Sequence, residues 1–163
     1  MTTKFSQTQG CQLNEVLINE HIFNNFACWK CYETYKLNKK LVKVNCRVQL
    51  NDENYTVPGF VVEDECVPFD HRTKSISKIV QSSLTSSSFE RWRRCCNEAV
   101  ECCNIMIRNY QAENFFSTCD NHWDGMRCYL DTLPGVTVQM TCPHQMTSFD
   151  DSKCTREFSF LIW

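Results

Sequence analysis

The stretch that decides the fold runs from Cys119 to Pro143 and reads CDNHWDGMRCYLDTLPGVTVQMTCP. Its first half places a Trp-Asp-Gly turn between two cysteines, Cys119 and Cys128. In that position we expect Trp123 to pack against a disulfide and Asp124 to accept hydrogen bonds from the backbone amides of its own turn. The pattern therefore predicts a small hairpin that disulfides hold in place.

The second half of the stretch predicts a β-strand. After a turn at Pro134 and Gly135, apolar and polar residues alternate up to Cys142. Because successive side chains of a strand point to opposite faces, the apolar residues share one face and the polar residues share the other. The apolar face consists of Val136, Val138 and Met140. The last inward-facing position of this strand is then the sulfur of Cys142.

Composition favours a secreted disulfide scaffold. The 17 basic and 19 acidic residues nearly cancel, so charge gives no reason to expect nucleic acid or an anionic membrane as the partner. Thirteen cysteines in 163 residues are typical of a chain made in an oxidising compartment. The triplet at Asn54 is a glycosylation acceptor, which agrees with that compartment.

A hairpin is predicted in the first third of the chain. Residues 41–50 alternate as a strand does, and residues 55–62 would return as a second strand that Pro58 and Gly59 interrupt. A bridge between Cys46 and Cys66 would staple the two strands. Asn54 then lies at the exposed tip, where a glycan can be accommodated.

Two further features of this third are less specific. Residues 12–26 place apolar side chains near helical spacing, which predicts a short helix. The pair Cys28 and Cys31 has the spacing of half a zinc site or of a redox pair. Because a second such pair is missing, structural disulfides are the favoured interpretation and an intracellular zinc module is the minor one.

The serine-rich segment from 72 to 88 marks a predicted boundary between a cysteine-rich extension, residues 1–86, and a second unit, residues 87–163. Ser87 and Glu90 form a capping box that should start a helix. Its predicted buried stripe consists of Trp92, Cys96, Ala99, Cys103, Met106 and Tyr110, with Cys95, Cys102 and Ile105 on its border.

These residues resemble the extracellular hormone-binding domain of secretin-type (class B) G protein-coupled receptors, and they are most similar to the calcitonin receptor branch. The likeness covers about residues 87–160. Its matching letters are Cys119, Trp123, Asp124, Gly125, Cys128, Asp131, Thr132, Gly135, Val136, Cys142, Pro143, Phe149 and Asp150. The resemblance implies a small disulfide-rich α+β fold, in which an N-terminal helix packs on two short antiparallel β-hairpins.

The resemblance also implies a framework of six cysteines, paired first to third, second to fifth and fourth to sixth. Carried over to this chain, the bridges join Cys128 to Cys102 or Cys103, and Cys119 to Cys154. The spacing to Cys119 favours Cys102. Cys142 is left without a partner, because the sixth cysteine is absent. The residues assigned to architecture are Trp123, Asp124, Pro134 and Gly135.

The implied function is the binding of a peptide hormone between the helix and the hairpins. A full-length receptor of this kind would stand at the plasma membrane and signal through a G protein, with an accessory membrane subunit as a further candidate partner. Met126 stands where the calcitonin branch places an aromatic shelf for the hormone, so ligand contact and core filling are both open for it. The loop that supplies polar contacts in that branch corresponds to Ser148, Phe149 and Asp150.

Two departures from the family bear on the expected C-terminal part of the domain. Tyr129 replaces the family's Trp after the third cysteine, and the loop from Cys142 to Cys154 is shortened. With the sixth cysteine missing as well, we expect the C-terminal hairpin to be incomplete. No stretch approaches the ~20 apolar residues of a membrane span, and the N-terminus has no secretory signal pattern. The sequence thus predicts a receptor fragment or a truncated receptor product.

The alternative is a soluble secreted cysteine-rich protein that sequesters a peptide or acts as a ligand itself. Nothing in the sequence indicates an enzyme, because there is no Gly-rich phosphate loop and the histidines have no partner nucleophile in sequence. These histidines are His21, His71, His122 and His144. We therefore expect no catalytic residue, no cofactor and no metal.

Overall fold

A computed structural model describes residues 10–13, 16–36, 41–111, 121–133, 135–141 and 155–159. Within these ranges the elements are β1 (Cys11–Leu13), β2 (Val16–Ile18), α1 (Glu20–Tyr35), β3 (Val44–Leu50), β4 (Glu53–Val62), β5 (Glu65–Pro68), α2 (Lys74–Ser83), α3 (Ser86–Gln111), β6 (His122–Trp123), β7 (Cys128–Tyr129), β8 (Thr137–Thr141) and β9 (Thr155–Ser159). The strands pair antiparallel as β1-β2, β3-β4-β5, β6-β7 and β8-β9. With its disulfides, the chain is the small disulfide-rich α+β protein that the sequence predicts.

The hairpin of the first third forms as β3 and β4, and a bridge joins Cys46 to Cys66 as predicted. A third strand, β5, extends it into a sheet. Both connecting turns are two residues long with positive φ at each position, 50° and 66° at residues 51 and 52 and 49° and 65° at residues 63 and 64. That backbone matches the right-handed twist of paired strands, which explains the tight returns. Asn54 is exposed at the first turn.

The predicted interruption at Pro58 and Gly59 is wrong, because β4 runs through both residues. A proline has no N–H to donate to a neighbouring strand. Pro58 is tolerated in this middle strand because its nitrogen faces β5, and β5 ends at Pro68, opposite Gly59. The Pro58 carbonyl on that side accepts instead from the Phe69 amide at 2.8 Å. Gly59 leaves room for the bridge, since a Cβ there would lie 2.4 Å from Cys46 Sγ.

The helix expected over residues 12–26 is displaced. Cys11–Leu13 and Val16–Ile18 pair as the hairpin β1-β2, and α1 begins only at Glu20 and runs to Tyr35. Asn19 caps the helix by accepting from the His21 amide at 2.8 Å. The bridge between Cys11 and Cys103 anchors β1 to α3. This tertiary link overrides the helical spacing of the apolar residues in the segment.

The long helix α3 begins at Ser86, so the capping box predicted at Ser87 and Glu90 is not used. Thr85 is the cap, because its Oγ1 accepts from the Ser88 amide at 3.2 Å. Glu90 instead pairs with Arg93 at 2.8 Å on the helix surface. The predicted stripe is confirmed for its described side chains, all of them buried: Trp92, Cys96, Ala99, Cys103 and Met106. The side chain of Tyr110 lies outside the described part.

One hydrophobic core spans the predicted boundary at residue 86. The serine-rich segment holds the helix α2, which buries Ile76 and Val80. Helices α1 and α3 pack together and are joined by a bridge from Cys31 to Cys95. Edge-on and tilted ring contacts fill the space beside them among Trp29, Tyr32, Phe60, Phe69 and Trp92. Among the described residues, no helix has the length and apolar character needed to cross a membrane.

The alternating run after Gly135 forms β8, which pairs with β9 over five residues. Val136 departs from the prediction. It precedes the strand and is exposed instead of facing inward, while Val138 on β8 is half-buried.

Candidate functional site

The first candidate region is the hairpin that a disulfide ties to α3. Cys102 bridges to Cys128 with a Cα–Cα distance of 5.4 Å, which is one of the two pairings that the resemblance implies. Cys103 bridges to Cys11 instead. Neighbouring residues on a helix diverge by about 100° around its axis, so the first faces the hairpin and the second faces β1. Trp123 lies opposite Cys128 in the β6-β7 register and is buried.

The carboxylate of Asp124 organises the turn of this hairpin. Its Oδ1 accepts from the amides of Met126 and Arg127, each at 2.7 Å, as the sequence predicts. Its Oδ2 accepts from the Tyr129 hydroxyl at 3.0 Å. Gly125 has a φ of 99°, which a glycine adopts without strain. Tyr129 thus has a polar partner inside the same turn.

A second polar clamp holds the base of the hairpin, and sequence reasoning missed it. Asp131 Oδ1 accepts from the Asn121 amide at 2.9 Å, and its Oδ2 accepts from Asn109 Nδ2 at 2.9 Å. Asn121 Oδ1 accepts in return from the Asp131 amide. These bonds fix the start of the following loop against the C-terminal part of α3. The available signal was Asp131 itself, one of the letters shared with the receptor domain.

The loop after the hairpin exposes apolar side chains, and we refer to Leu130, Leu133 and Val136 as the apolar loop surface. They are 52%, 58% and 43% exposed. The Val136 amide donates to the Leu133 carbonyl at 3.2 Å, which closes the loop into a turn. Three exposed aliphatic side chains within seven positions of the chain are a candidate contact surface.

Of the residues predicted to contact a ligand, only Met126 lies in the described part. It is half-buried in the Asp124 turn. Several predicted residues lie outside the described residues: Ser148, Phe149, Asp150, Cys119, Pro134, Cys142 and Cys154. The pairing of Cys119 with Cys154 and the polar contacts of that loop stay predictions.

The second candidate region is a buried cluster of Cys28, His71 and Cys96. The sequence suggested structural disulfides for Cys28 and Cys31, and this is right for Cys31 alone. Cys28 and Cys96 are free and buried. The Cys28 Sγ lies 3.3 Å from His71 Nδ1, and the three potential ligand atoms all lie within 4.8 Å of one another. Because His71 lies 43 residues from Cys28 in the chain, no local spacing could have revealed this group.

Three separate elements position the cluster. Cys28 is one helical turn before Cys31 on α1, and Cys96 follows Cys95 on α3, so the Cys31–Cys95 bridge sets the two thiols side by side. His71 comes from the turn between β5 and α2, where its carbonyl accepts from Ser77 Oγ at 3.0 Å. The wall of the site includes Trp92, whose indole Nε1 donates to the Cys28 carbonyl at 3.1 Å.

The electrostatics of the cluster favour negative charge on one sulfur. Burial raises the pKa of the Cys28 thiol, but hydrogen bonds from Cys96 and His71 outweigh it and bring this pKa down to about 7. Burial and the neighbouring Cys28 thiolate raise the pKa of Cys96 well above its usual range. Burial lowers the pKa of His71, yet its bond and charge interaction with Cys28 raise it overall. The group therefore offers soft, anionic sulfur beside an imidazole nitrogen.

Comparisons with protein-family models, with curated proteins and with solved structures find no match to this chain. Function is therefore inferred from the residues and their geometry.

Proposed function

We propose that the chain is the hormone-binding extracellular domain of a calcitonin-like class B G protein-coupled receptor and that it binds a peptide hormone. The observation that carries the proposal is the Cys102–Cys128 bridge, which holds α3 against the Trp123 hairpin as the resemblance implies. In the full-length receptor the bound peptide would signal through the membrane part to a G protein, and an accessory membrane subunit is a further candidate partner.

The compartment supports this proposal. Four disulfides join eight cysteines among the described residues. Such density fits an extracellular or secreted domain, because reducing cytosol keeps thiols free. Attachment to the plasma membrane is part of the proposal.

The peptide would dock on the apolar loop surface beside α3. Burying one exposed leucine against a ligand contributes about 1.5–3 kcal/mol, so two or three such anchors supply useful affinity. The clamp formed by Asn121 and Asp131 holds the loop before the ligand arrives, which lowers the entropy lost on binding. Half-buried Met126, in the neighbouring turn, would form a flexible edge of the same surface.

A binding experiment with a matched surface control tests the proposal. The full chain is secreted from eukaryotic cells, the Cys102–Cys128 bridge is verified by non-reducing peptide mapping, and binding of a panel of labelled calcitonin-like peptides is measured by fluorescence anisotropy. Leu133→Asp should weaken binding by at least about 10-fold, because an anchor worth ~2 kcal/mol is replaced by a charge. The control is Val61→Asp on β4, since Val61 and Leu133 are both 58% exposed.

Val61→Asp should leave the affinity unchanged. Equal losses in the two variants, or no binding of any peptide of the panel to correctly bridged protein, would contradict the proposal.

A further inference from the structure

The cluster of Cys28, His71 and Cys96 has the composition of a soft metal site. Of the ten cysteines in the described part of the chain, eight are bridged and only these two are free. Both thiols are buried with an imidazole nitrogen beside them. Two sulfurs and one imidazole suit zinc or copper(I) and do not suit calcium or magnesium, which prefer oxygen ligands.

The distances fit a tetrahedral ion. With Zn–S bonds of about 2.3 Å and Zn–N bonds of about 2.0–2.1 Å, tetrahedral angles place sulfur and nitrogen ligands about 3.6 Å apart and two sulfurs about 3.8 Å apart. Cys28 Sγ and His71 Nδ1 are 3.3 Å apart, and no ligand atom of the three is more than 4.8 Å from another. Tetrahedral coordination would require the distance between Cys28 Sγ and His71 Nδ1 to change by a few tenths of an ångström. The other two distances between ligand atoms would change by at most about 1 Å.

Charge favours a divalent ion. Two thiolates and a neutral imidazole carry two negative charges, which one Zn²⁺ neutralises, whereas copper(I) would leave one charge buried. Burying an unbalanced charge is costly in a medium of low dielectric constant. A neutral complex is therefore the stable way to keep both sulfurs ionised in this core.

We propose that Cys28, His71 and Cys96 bind one zinc ion, with solvent as the fourth ligand. His71 is the least buried of the three residues, with a side chain 12% exposed next to Asp70 at 19%, so a solvent ligand would enter on its side. Asp70 Oδ1 lies 4.0 Å from His71 Nδ1, but both carboxylate oxygens accept from the Arg72 guanidinium at 3.0 Å, so the proposal leaves Asp70 outside the ligand set.

The ion would have a structural role. It would join α1, α3 and the turn before α2, and no disulfide among the described residues reaches that turn or α2. The site is independent of peptide binding, because it lies in the core and shares no residue with the apolar loop surface. In an oxidising compartment the competing fate of the two thiols is a disulfide between them, and zinc would protect them from it.

The test uses the full chain secreted or refolded in the presence of Zn²⁺ without chelator. Zinc content is measured by mass spectrometry, thiol status by alkylation and peptide mapping, and ligand type by replacement with Co²⁺, which gives a thiolate-to-cobalt charge-transfer band. We expect one zinc per chain, with Cys28 and Cys96 alkylated only after zinc is removed.

The variants are His71→Gln and Cys96→Ser, and His21→Gln serves as the control because it changes a histidine that does not belong to the cluster. Loss of a direct ligand should weaken zinc binding by more than about 100-fold, since even outer contacts of metal ligands change affinity by 10–100-fold. The control should bind zinc as the parent does. Added zinc should raise the melting temperature of the parent and the control, and not that of the two ligand variants.

Three results would overturn the proposal. They are the absence of stoichiometric zinc, a Cys28–Cys96 disulfide in zinc-loaded protein, and equal zinc affinity in His71→Gln and the parent. The mapped disulfides of each variant establish that it is folded, so that weak binding is not mistaken for misfolding.

Discussion

Removing the bridge between Cys102 and Cys128 should release the hairpin from α3. The change is the double substitution C102A/C128A, which leaves no unpaired partner thiol. The bridged residues are separated by 26 positions, and a loop of that length corresponds to about 3.5 kcal/mol in the chain-entropy model at 25 °C. For a chain of this size, that loss should lower the melting temperature by roughly 7–14 °C.

The matched control is C46A/C66A, which removes a bridge of similar span within the β3-β4-β5 sheet. Its separation of 20 positions corresponds to about 3.3 kcal/mol, so both variants should lose nearly the same stability. What differs is the place that opens. Below the melting temperature, trypsin should cut C102A/C128A after Arg127, which adjoins the lost bridge, whereas the control should resist there and open near Arg47.

Thermal melting by circular dichroism measures the first quantity, and mass spectrometry of short trypsin digests measures the second. The reasoning is refuted if C102A/C128A melts within about 2 °C of the parent. It is refuted equally if both variants are cut at Arg127 at the same rate, because the bridge would then have no local effect on the hairpin.

Three further predictions concern single residues. Thr85→Ala should destabilise the protein by about 1 kcal/mol through loss of the helix cap, while Ser87→Ala should be near neutral, and urea denaturation of the pair would reveal an error if the order were reversed. Gly59→Ala should lower stability by about 1–3 kcal/mol, because its Cβ would lie 2.3 Å from the Val67 carbonyl oxygen and 2.4 Å from a bridged sulfur; an unchanged melting temperature would argue against that crowding. Asp124→Ala should lower the free energy of unfolding by about 2–3 kcal/mol, because it removes the acceptor of three hydrogen bonds. Asp124→Asn should lower it less, because one oxygen is kept. Equal melting temperatures for the two variants would contradict the assigned bonds.

Local patterns in the sequence were sufficient for several elements. The alternation of residues 41–50 and the turn residues after it predict β3 and its return, and the Cys46–Cys66 bridge follows because both cysteines belong to that one sheet. The Asp124 hydrogen bonds were also predictable, since donor and acceptor are within three residues of one another. In α3 the three- and four-residue spacing identified the buried stripe.

Cap position and local breaks were harder to place. Ser87 and Glu90 fit the capping-box pattern, which Thr85 does not, yet the observed cap is Thr85, two residues after α2 ends. Pro58 and Gly59 suggest a break in the strand. The strand continues because β5 ends at the position where Pro58 lacks an N–H donor.

What the sequence alone determined is therefore the secretory, disulfide-rich class, the stripe of α3 and the turns whose partners are near in the chain. The choice among cysteines was made only by the tertiary structure. Adjacent residues on one helix, such as Cys95 and Cys96 or Cys102 and Cys103, differ by a rotation of about 100° around its axis. The partner that each of these cysteines contacts therefore depends on how α3 packs against its neighbours. The same packing brings His71 to two free thiols, because contacts between distant segments are fixed by the shape of the shared core and leave no periodic signal in the chain.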